Sequence, residues 1–412
     1  MKLTIKTRYA FPNLSATVYE KFPDLILLAY LTFVYIWNYS IGFSGAIKYG
    51  IHFSIAAIFF LLAIFKLKCV LVTTFEKFFL LFIAFCAISI PFALHPSEAL
   101  DRCITLTIYF LILTSIHIYI AKKNKLEWLI FALGFAGIAL AIYNFYFYGV
   151  GNYLSALASG KRVGGEIMNV NVIGKFCSFS AIICFWYAAY KNKIWYYAPM
   201  ILCTFISLGV GSRKSLFALI LGCCMLYLFK GNLRQKLKNV VMMILFLCAF
   251  AMILQLPIFE RTAQRFEGLV AVFSSSDRVQ ETDHSTYLRT LLIKHGLEEF
   301  KDSPLMGVGI NNAHYLGIKY TGYDFYMHNN YVELLVSIGI IGTMIYYLLL
   351  LYPLIKLFHP ALNHDATAIL LEVFLVLDLI LDVGQVTYSN IDNYFLILAA
   401  HIKARQLRLQ GT

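Results

Sequence analysis

Long apolar runs alternate with short polar segments along most of the chain, from Leu25 to Ala399. Most of these runs are roughly 15–24 residues long, enough for a helix to cross the hydrocarbon core of a bilayer. Because backbone polar groups find no water inside a bilayer, such runs form helices. The pattern predicts an all-α polytopic membrane protein with about 12 transmembrane helices, in a single transmembrane domain over residues 1–412. The predicted spans are 25–38, 46–65, 78–94, 103–120, 126–148, 170–190, 195–211, 215–229, 240–257, 331–358, 366–384 and 391–402.

Lysine and arginine cluster in every second loop. Clusters follow the second, fourth and sixth spans, for example at Lys66, Lys122 and Lys191, whereas the short loops between them carry little positive charge. Cytoplasmic loops carry this excess, so we expect both termini on the cytoplasmic side. The N-terminus lacks a cleavable signal pattern, and the first helix is expected to remain as an anchor.

The longest polar segment, residues 258–330, falls on the outer side in this topology and is too long for a passive connection. Within it, residues 286–300 predict an amphipathic helix that Ser285 caps and that the pair Ser303-Pro304 ends. The expected apolar side of this helix consists of Leu288, Leu291, Leu292 and Leu297.

Composition narrows the function classes. Hydrophobic residues make up 60% of the chain and the mean hydropathy is +0.73, which excludes an ordinary soluble domain. The net charge of +12 does not indicate nucleic acid as a partner, because most lysines and arginines lie in short loops that set topology. The 9 cysteines lie in or beside apolar segments, so no disulfide framework is predicted. Without a nucleotide motif or a second histidine at metal-ligand spacing, we predict no cofactor and no metal.

One histidine, His328, ends a polar, aromatic loop directly before the tenth span. Asn329 or Asn330 is the expected N-cap of that span, and Glu333 is expected to bond the backbone N–H of the cap. A histidine at a helix N-terminus is near water and rigidly held, which suits proton transfer. The alternative is an ordinary interfacial residue. Asn329 is also a candidate substrate contact.

Arg213 and Lys214 lie at the outer junction of the seventh and eighth spans, against the trend of the other charges. Placing an arginine at membrane depth costs about 2.5–3.5 kcal/mol, which an anionic ligand would offset. A guanidinium also binds phosphate oxygens through two parallel hydrogen bonds. The alternatives for Arg213 are snorkelling to the lipid headgroups or pairing with Asp378 or Asp382.

Other outer residues complete a predicted face for anions and glycans. Arg289 lies on the amphipathic loop helix, where a solvated position is the alternative. Arg162 belongs to a second basic pair, suited to lipid headgroups or to the same anion. Tyr323 and Tyr326 offer aromatic surface to sugar rings, and the turn at residues 307–309 is expected to aim backbone N–H groups at an anion.

The C-terminal half of the chain resembles the superfamily of O-antigen ligases and O-antigen polymerases. The resemblance rests on Ser212-Arg213 opening a span, Arg289, the run from Phe300 to Asn311 that contains Gly307-Val308-Gly309, His328-Asn329, and Gly339-Ile340-Ile341-Gly342. The N-terminal half matches in hydropathy and span number. The chain departs from the family pattern at Lys214, where many members carry a glycine.

The resemblance implies a GT-C-like glycosyltransferase bundle in the bacterial inner membrane, with residues 258–330 as a large periplasmic loop and with a periplasmic active site. Such enzymes take a glycan from undecaprenyl diphosphate. The ligases transfer it to a sugar hydroxyl of the lipid A core, inverting the anomeric centre without a metal. By this resemblance Arg213 and Arg289 would hold the diphosphate, and His328 would be the base for the acceptor hydroxyl. The oligomeric state stays open.

Two other functions stay open as well. An O-antigen polymerase would use a second lipid-linked repeat unit as acceptor, but polymerases often carry two large outer loops, and one is large here. A proton-coupled transporter would use Asp378 and Asp382, four residues apart on one helix face. Transporters often contain inverted repeats, which are not apparent in this sequence.

The charge pattern makes a testable prediction about topology. Cysteines introduced by Ser275→Cys and Lys236→Cys should lie on opposite sides of the membrane. A membrane-impermeant maleimide should label the first in intact cells and the second only after permeabilisation, with the parent chain and its 9 native cysteines as background. Labelling of both from one side would contradict the predicted spans.

Overall fold

The computed structural model describes residues 14–67, 72–159, 161–231, 234–241 and 284–410. These residues confirm the all-α prediction, and one isolated bridge joins Ser40 to Met168. The helices are α1 (Leu14–Phe33), α2 (Gly45–Leu61), α3 (Thr74–Ser89), α4 (Pro96–Lys123), α5 (Leu126–Ser159), α6 (Val170–Tyr190), α7 (Tyr197–Gly209), α8 (Arg213–Phe229), α9 (His284–Asp302), α10 (Ala313–Thr321), α11 (Asn330–Leu362), α12 (Ala366–Leu381) and α13 (Ile391–Gln410).

Six helical stretches within the described residues are long and apolar enough to cross a membrane. They are Gly45–Phe65, Thr74–Phe92, Pro96–Lys123, Leu126–Ser155, Val170–Tyr190 and Asn330–Leu362. A helix also accompanies each of the other predicted spans except 240–257, most of which lies outside the described residues, as does the loop up to residue 283. The total of about 12 spans therefore stays a prediction.

The centre of the bundle is α6, which packs against α5, α7 and α8. Small residues bring these helices close together. A Cβ atom at Gly137 would lie 2.7 Å from Cβ of Ser180, and the hydroxyls of Ser178 and Ser207 are 2.8 Å apart. Such small and hydroxyl-bearing residues are the usual means of helix association in a membrane, where no hydrophobic gain drives it.

The helix connections divide between two ends of the bundle. One end, called the basic end, carries the ion pairs Lys125–Asp24, Lys191–Glu127 and Lys403–Asp365. The other end, called the site end, joins connections that are distant in sequence through backbone bonds. These bonds run from Ile41 N to Ile167 O (3.1 Å), from Val163 N to Gly209 O (3.3 Å) and from Asn330 N to Asp382 O (2.7 Å).

Helix α11 is interrupted near its start, where Ile338 and Gly339 leave helical geometry and Gly339 has φ +64. The interruption frees backbone groups that the preceding loop then satisfies. Val308 N donates to Val336 O and Ile340 N donates to Pro304 O, both at 2.8 Å. Broken helices persist in membrane proteins only where such partners exist.

The same contacts correct the predicted anion site at residues 307–309. The three backbone N–H groups of this turn donate to Ser303 O, Val336 O and Ser337 O, so none is left to face an anion. The glycines are instead needed for close approach. A Cβ atom at Gly307 would lie 2.4 Å from Val336 O. A Cβ atom at Gly309 would lie 2.2 Å from Cβ of Ala93.

The loop helix α9 is longer than predicted. It begins at His284, so Ser285 lies inside the helix and is not its N-cap, and it ends at Asp302 as the pair Ser303-Pro304 predicts. Its apolar side also differs, because Leu292 is 1% exposed and Leu297 is 40% exposed.

Residue Leu292 belongs to a small core with Met327 of the loop before α11 and Val332 in the first turn of α11. Helix α10, which the sequence did not predict, completes this core through Ala313 and Leu316. The small core therefore fixes α9 beside the loop that carries His328.

The interruption in α11 can be tested with two glycine substitutions. Gly339→Ala and Gly322→Ala both place alanine at a positive φ, which costs roughly 1–2 kcal/mol. At Gly322 a Cβ meets nothing within 4 Å, whereas at Gly339 it would lie 2.3 Å from backbone atoms of Leu305. Thermal unfolding in detergent should show a clearly larger loss of stability for Gly339→Ala. Equal losses of stability would contradict close packing of the loop against the interruption in α11.

Candidate active site

The loop that ends at His328 is held in a sterically restricted conformation. His328 has φ +54, in the left-handed region, and Asn329 follows in extended geometry as the N-cap of α11. The Asn329 side chain accepts the backbone N–H of Val332 at 3.1 Å. The predicted capping role of Glu333 is corrected, because its Oε2 accepts from Met327 N (3.0 Å) and not from the cap. These two bonds hold the backbone on either side of His328.

Asn330 fastens the first turn of α11 to the end of α12. Its backbone N–H donates to Asp382 O, and its side-chain amide donates to Asp382 Oδ2 at 3.1 Å. Its amide oxygen accepts the backbone N–H groups of Thr387 and Tyr388. The Asp382 carboxylate also accepts hydroxyl bonds from Tyr347 and Thr387. Asp382 is therefore a structural anchor for Asn330, which follows His328 by two residues in the chain.

The turn before α8 is positioned by α6. Gly211 has φ +62, and the Ser212 hydroxyl donates to Asn171 Oδ1 at 3.0 Å. Ser215 closes the turn by donating to the Ser212 hydroxyl at 2.8 Å. The first residue of α8 is Arg213, so its side chain starts from a helix N-terminus at the site end.

Lys214 lies over the connection between α12 and α13. A Cβ atom at Gly384 would come within 2.9 Å of Lys214 Cε, so the lysine side chain packs closely over this glycine. Gly384 follows Asp382 by two residues, and the Lys214 stem therefore packs beside the corner that Asn330 and Asp382 form.

The structure places Arg213 and Arg289 within electrostatic range of Lys214, and Arg289 and Lys214 within electrostatic range of His328. The Lys214 ammonium interacts with both guanidinium groups, of Arg289 and of Arg213. Burial, together with the positive charges of Arg289 and Lys214, lowers the pKa of His328 to about 4. His328 is therefore neutral at pH 7, the state in which an imidazole can accept a proton. We call these four residues the cationic cluster.

The remaining predicted site residues differ in their surroundings. Arg162 is exposed in the connection between α5 and α6, and no described contact joins it to the cationic cluster. Tyr323 is exposed and stacks on Phe325, whose ring centroid lies 5.8 Å from that of His328. Asn329 uses its side-chain oxygen as the helix cap, as predicted, and its role as a substrate contact stays a prediction.

Tyr326 lines a cavity of about 640 Å³ at the site end. Arg213, Arg289 and His328 are not among the residues that line it. Its walls include Arg102 of α4 and Asn311 of the loop before α10, which the sequence analysis did not single out. The signal was available in α4, where charged and hydroxyl side chains recur at helical spacing within an apolar run.

Residues 198–347 match the family model described as O-antigen ligase. The matched segment begins in α7, ends in α11 and contains Arg213, Arg289 and His328. No curated protein matches the chain.

The electrostatics of the cationic cluster can be tested by titration. Lys214→Met removes one positive charge near His328, so the pKa of His328 should rise above about 4, while burial and Arg289 still hold it below its usual value. The rate of diethyl pyrocarbonate modification of His328 against pH, read by mass spectrometry, measures this pKa. Arg234→Met, at the exposed segment after α8, is the control and should leave it unchanged. An unshifted pKa in Lys214→Met would contradict the cluster.

Proposed function

We propose that this chain, which belongs to the O-antigen ligase superfamily, transfers a glycan from undecaprenyl diphosphate to a sugar hydroxyl of the lipid A core. Family membership indicates an enzyme of glycan transfer that uses a lipid-linked glycan and a lipid acceptor. The observation that supports the donor part of the proposal is the cationic cluster, in which Arg213 and Arg289 both act on Lys214, and Arg289 and Lys214 act on His328.

The diphosphate of the donor is the natural ligand of three neighbouring cations. Positive groups placed together repel one another at the low dielectric of a membrane site, and a polyanion relieves that repulsion. The two guanidinium groups can each hold phosphate oxygens through paired hydrogen bonds. As the bond to the sugar breaks, negative charge develops on the leaving diphosphate, so the same groups stabilise the transition state more than the bound donor.

His328 is the proposed base. The acceptor hydroxyl oxygen attacks the anomeric carbon, the bond from that carbon to the diphosphate oxygen breaks, and the electron pair leaves with the diphosphate. The hydroxyl proton passes to the neutral imidazole of His328. Attack opposite the leaving group inverts the anomeric centre. Because nearby positive charge lowers the pKa of His328, arrival of the diphosphate should raise its basicity when the donor is bound.

The proposed location of this chemistry is the periplasmic side of the bacterial inner membrane. The support is the charge alternation along the chain, which assigns the connections of the site end to the outer side and the basic end to the cytoplasm. A lipid-linked donor and a lipid-anchored acceptor would both reach such a site from the membrane plane.

The transport alternative is weaker in light of the surroundings of its two acids. Asp382 accepts bonds from Asn330, Tyr347 and Thr387 and serves as an anchor. The Asp378 carboxylate has no hydrogen-bond partner within the described part of the chain, and Lys175 is the cation that acts on it. The structural role of Asp382 does not require movement of an ion through the bundle.

The proposal is tested by transfer in vitro. The purified chain receives an undecaprenyl-diphosphate-linked glycan and either rough-core lipopolysaccharide or a second lipid-linked unit as acceptor. Transfer to the lipopolysaccharide is the expected result. Transfer only to the second lipid-linked unit would replace the ligase proposal with the polymerase, and no transfer to either would overturn both.

Two variants test the assigned roles in the same assay. His328→Ala should lower the rate about 10²–10⁴-fold, since a positioned base contributes that much. Its control is His364→Ala, because His364 also has a positive φ (+65) in the connection before a helix, at the basic end. Arg213→Lys should cost at least about tenfold, because a lost charge-assisted hydrogen bond is worth roughly 1.5–3 kcal/mol. Wild-type rates with unchanged folding would refute these roles.

A further inference from the structure

Two membrane helices face each other with polar stripes around the 640 Å³ cavity at the site end. The residues of the α2 stripe are spaced i, i+3, i+4 and i+7, so they lie on one face of the helix. The α4 stripe has the same spacing and one further residue at i+11. The stripes are Gly45, Lys48, Tyr49 and His52 on α2, and Glu98, Asp101, Arg102, Thr105 and Tyr109 on α4. The hydroxyls of Tyr49 and Thr105, 3.2 Å apart, join them. Polar stripes in such helices are expensive in lipid and mark functional cavities.

Arg102 is held in place by a neutral partner. Its Nε and Nη2 atoms both donate to Asn311 Oδ1, and the amide nitrogen of Asn311 donates to Glu98 Oε2 at 3.2 Å. No carboxylate of a described residue forms an ion pair with Arg102. The Asp101 side chain likewise has no hydrogen bond within the described residues, although it lines the cavity. Arg102 and Asp101 thus keep polar atoms for a ligand.

The charges of the cavity differ from those of the cationic cluster. Two cations, Lys48 and Arg102, are balanced by two carboxylates, Glu98 and Asp101. A diphosphate would be repelled by the carboxylates, whereas a sugar offers hydroxyls that both donate and accept. Planar polar side chains together with tyrosines, here Tyr49 and Tyr326, suit the edges and the faces of a sugar ring.

The cavity adjoins the loop that carries His328. Tyr326, which lines it, precedes His328 by two residues. Arg102 interacts electrostatically with Glu333, and Glu333 Oε2 accepts the backbone N–H of Met327, the residue directly before His328. A ligand in the cavity would therefore contact the same loop as the base.

We propose that this cavity is the binding site for a sugar of the acceptor glycan, held between the polar stripes of α2 and α4 with Arg102 and Asp101 as direct contacts. The proposal rests on the proposed function and extends it, because it separates the two substrates by charge. The cationic cluster takes the diphosphate of the donor. The balanced cavity takes the neutral, hydroxyl-rich part of the acceptor and presents one hydroxyl toward His328.

Two threonines of α4 provide a matched pair for the test. Thr105 lines the cavity and Thr107 lies on an exposed part of the same helix, and each hydroxyl donates to the carbonyl four residues earlier. Thr105→Phe fills the cavity, whereas Thr107→Phe adds the same bulk outside it. Asp101→Asn removes one charge without changing the size of the side chain. It provides a second test of the cavity in case Thr105→Phe does not fold.

The experiment measures the binding of each substrate and compares the KM for the acceptor with the KM for the donor. Chains in nanodiscs, made in the His328→Ala background so that no transfer occurs, are titrated with rough-core lipopolysaccharide and separately with the lipid-linked donor. Thr105→Phe should abolish saturable lipopolysaccharide binding, Thr107→Phe should retain it, and donor binding should be equal in both. In the active background, Asp101→Asn should raise the acceptor KM about tenfold and leave the donor KM unchanged.

Equal lipopolysaccharide binding by the two phenylalanine variants would overturn the assignment, as would an effect of Thr105→Phe or Asp101→Asn on the donor only. Absence of saturable lipopolysaccharide binding in the parent chain would overturn it too. These outcomes differ from failure of the proposed function, in which the wild-type chain transfers no glycan although binding to the cavity is intact.

Discussion

Residues 338 and 339 interrupt the hydrogen-bond ladder of α11, and the site end is built around that interruption. A helix inside a bilayer cannot leave backbone groups unsatisfied, so another segment must supply the missing partners. The loop at residues 304–309 does so by exchanging backbone bonds with Val336, Ser337 and Ile340. The exchange needs glycine on both sides, at positions 307 and 339, because any side chain would meet backbone atoms. Once docked, the loop sets the positions of Asn311, α10 and the chain that leads to His328.

Electrostatics divides the site end into two regions. Arg213, Lys214, Arg289 and His328 reach one region from three segments, although more than one hundred residues separate the first from the last. A region with three basic side chains suits a polyanion. The neighbouring cavity balances its cations with Glu98 and Asp101 and suits a neutral ligand. Two substrates of different charge can then be recognised side by side without competing for one pocket.

Two buried acids of the bundle, Asp382 and Asp392, act as structural anchors. Asp382 ties the first turn of α11 to the end of α12, and Asp392 forms an ion pair with Lys175 at 2.7 Å while accepting a bond from Tyr39. Such groups cost free energy to bury, and that cost is tolerated where several donors surround each carboxylate. A fixed corner at Asn330 is the consequence, two residues after the left-handed His328.

Local information in the sequence determined the helical class, the bounds of α6, the alternation of charge between loops and the residue types suited to diphosphate and proton transfer. These features depend on hydropathy over one or two helical turns and on side-chain chemistry. Only the tertiary structure decided that the glycine turn serves α11 and not an anion, that Asp382 anchors Asn330, and that Arg102 faces a cavity. Each of these depends on a partner distant in the chain. The local sequence around a hydrogen-bonding group does not specify its partner, because packing of the whole chain decides which groups meet.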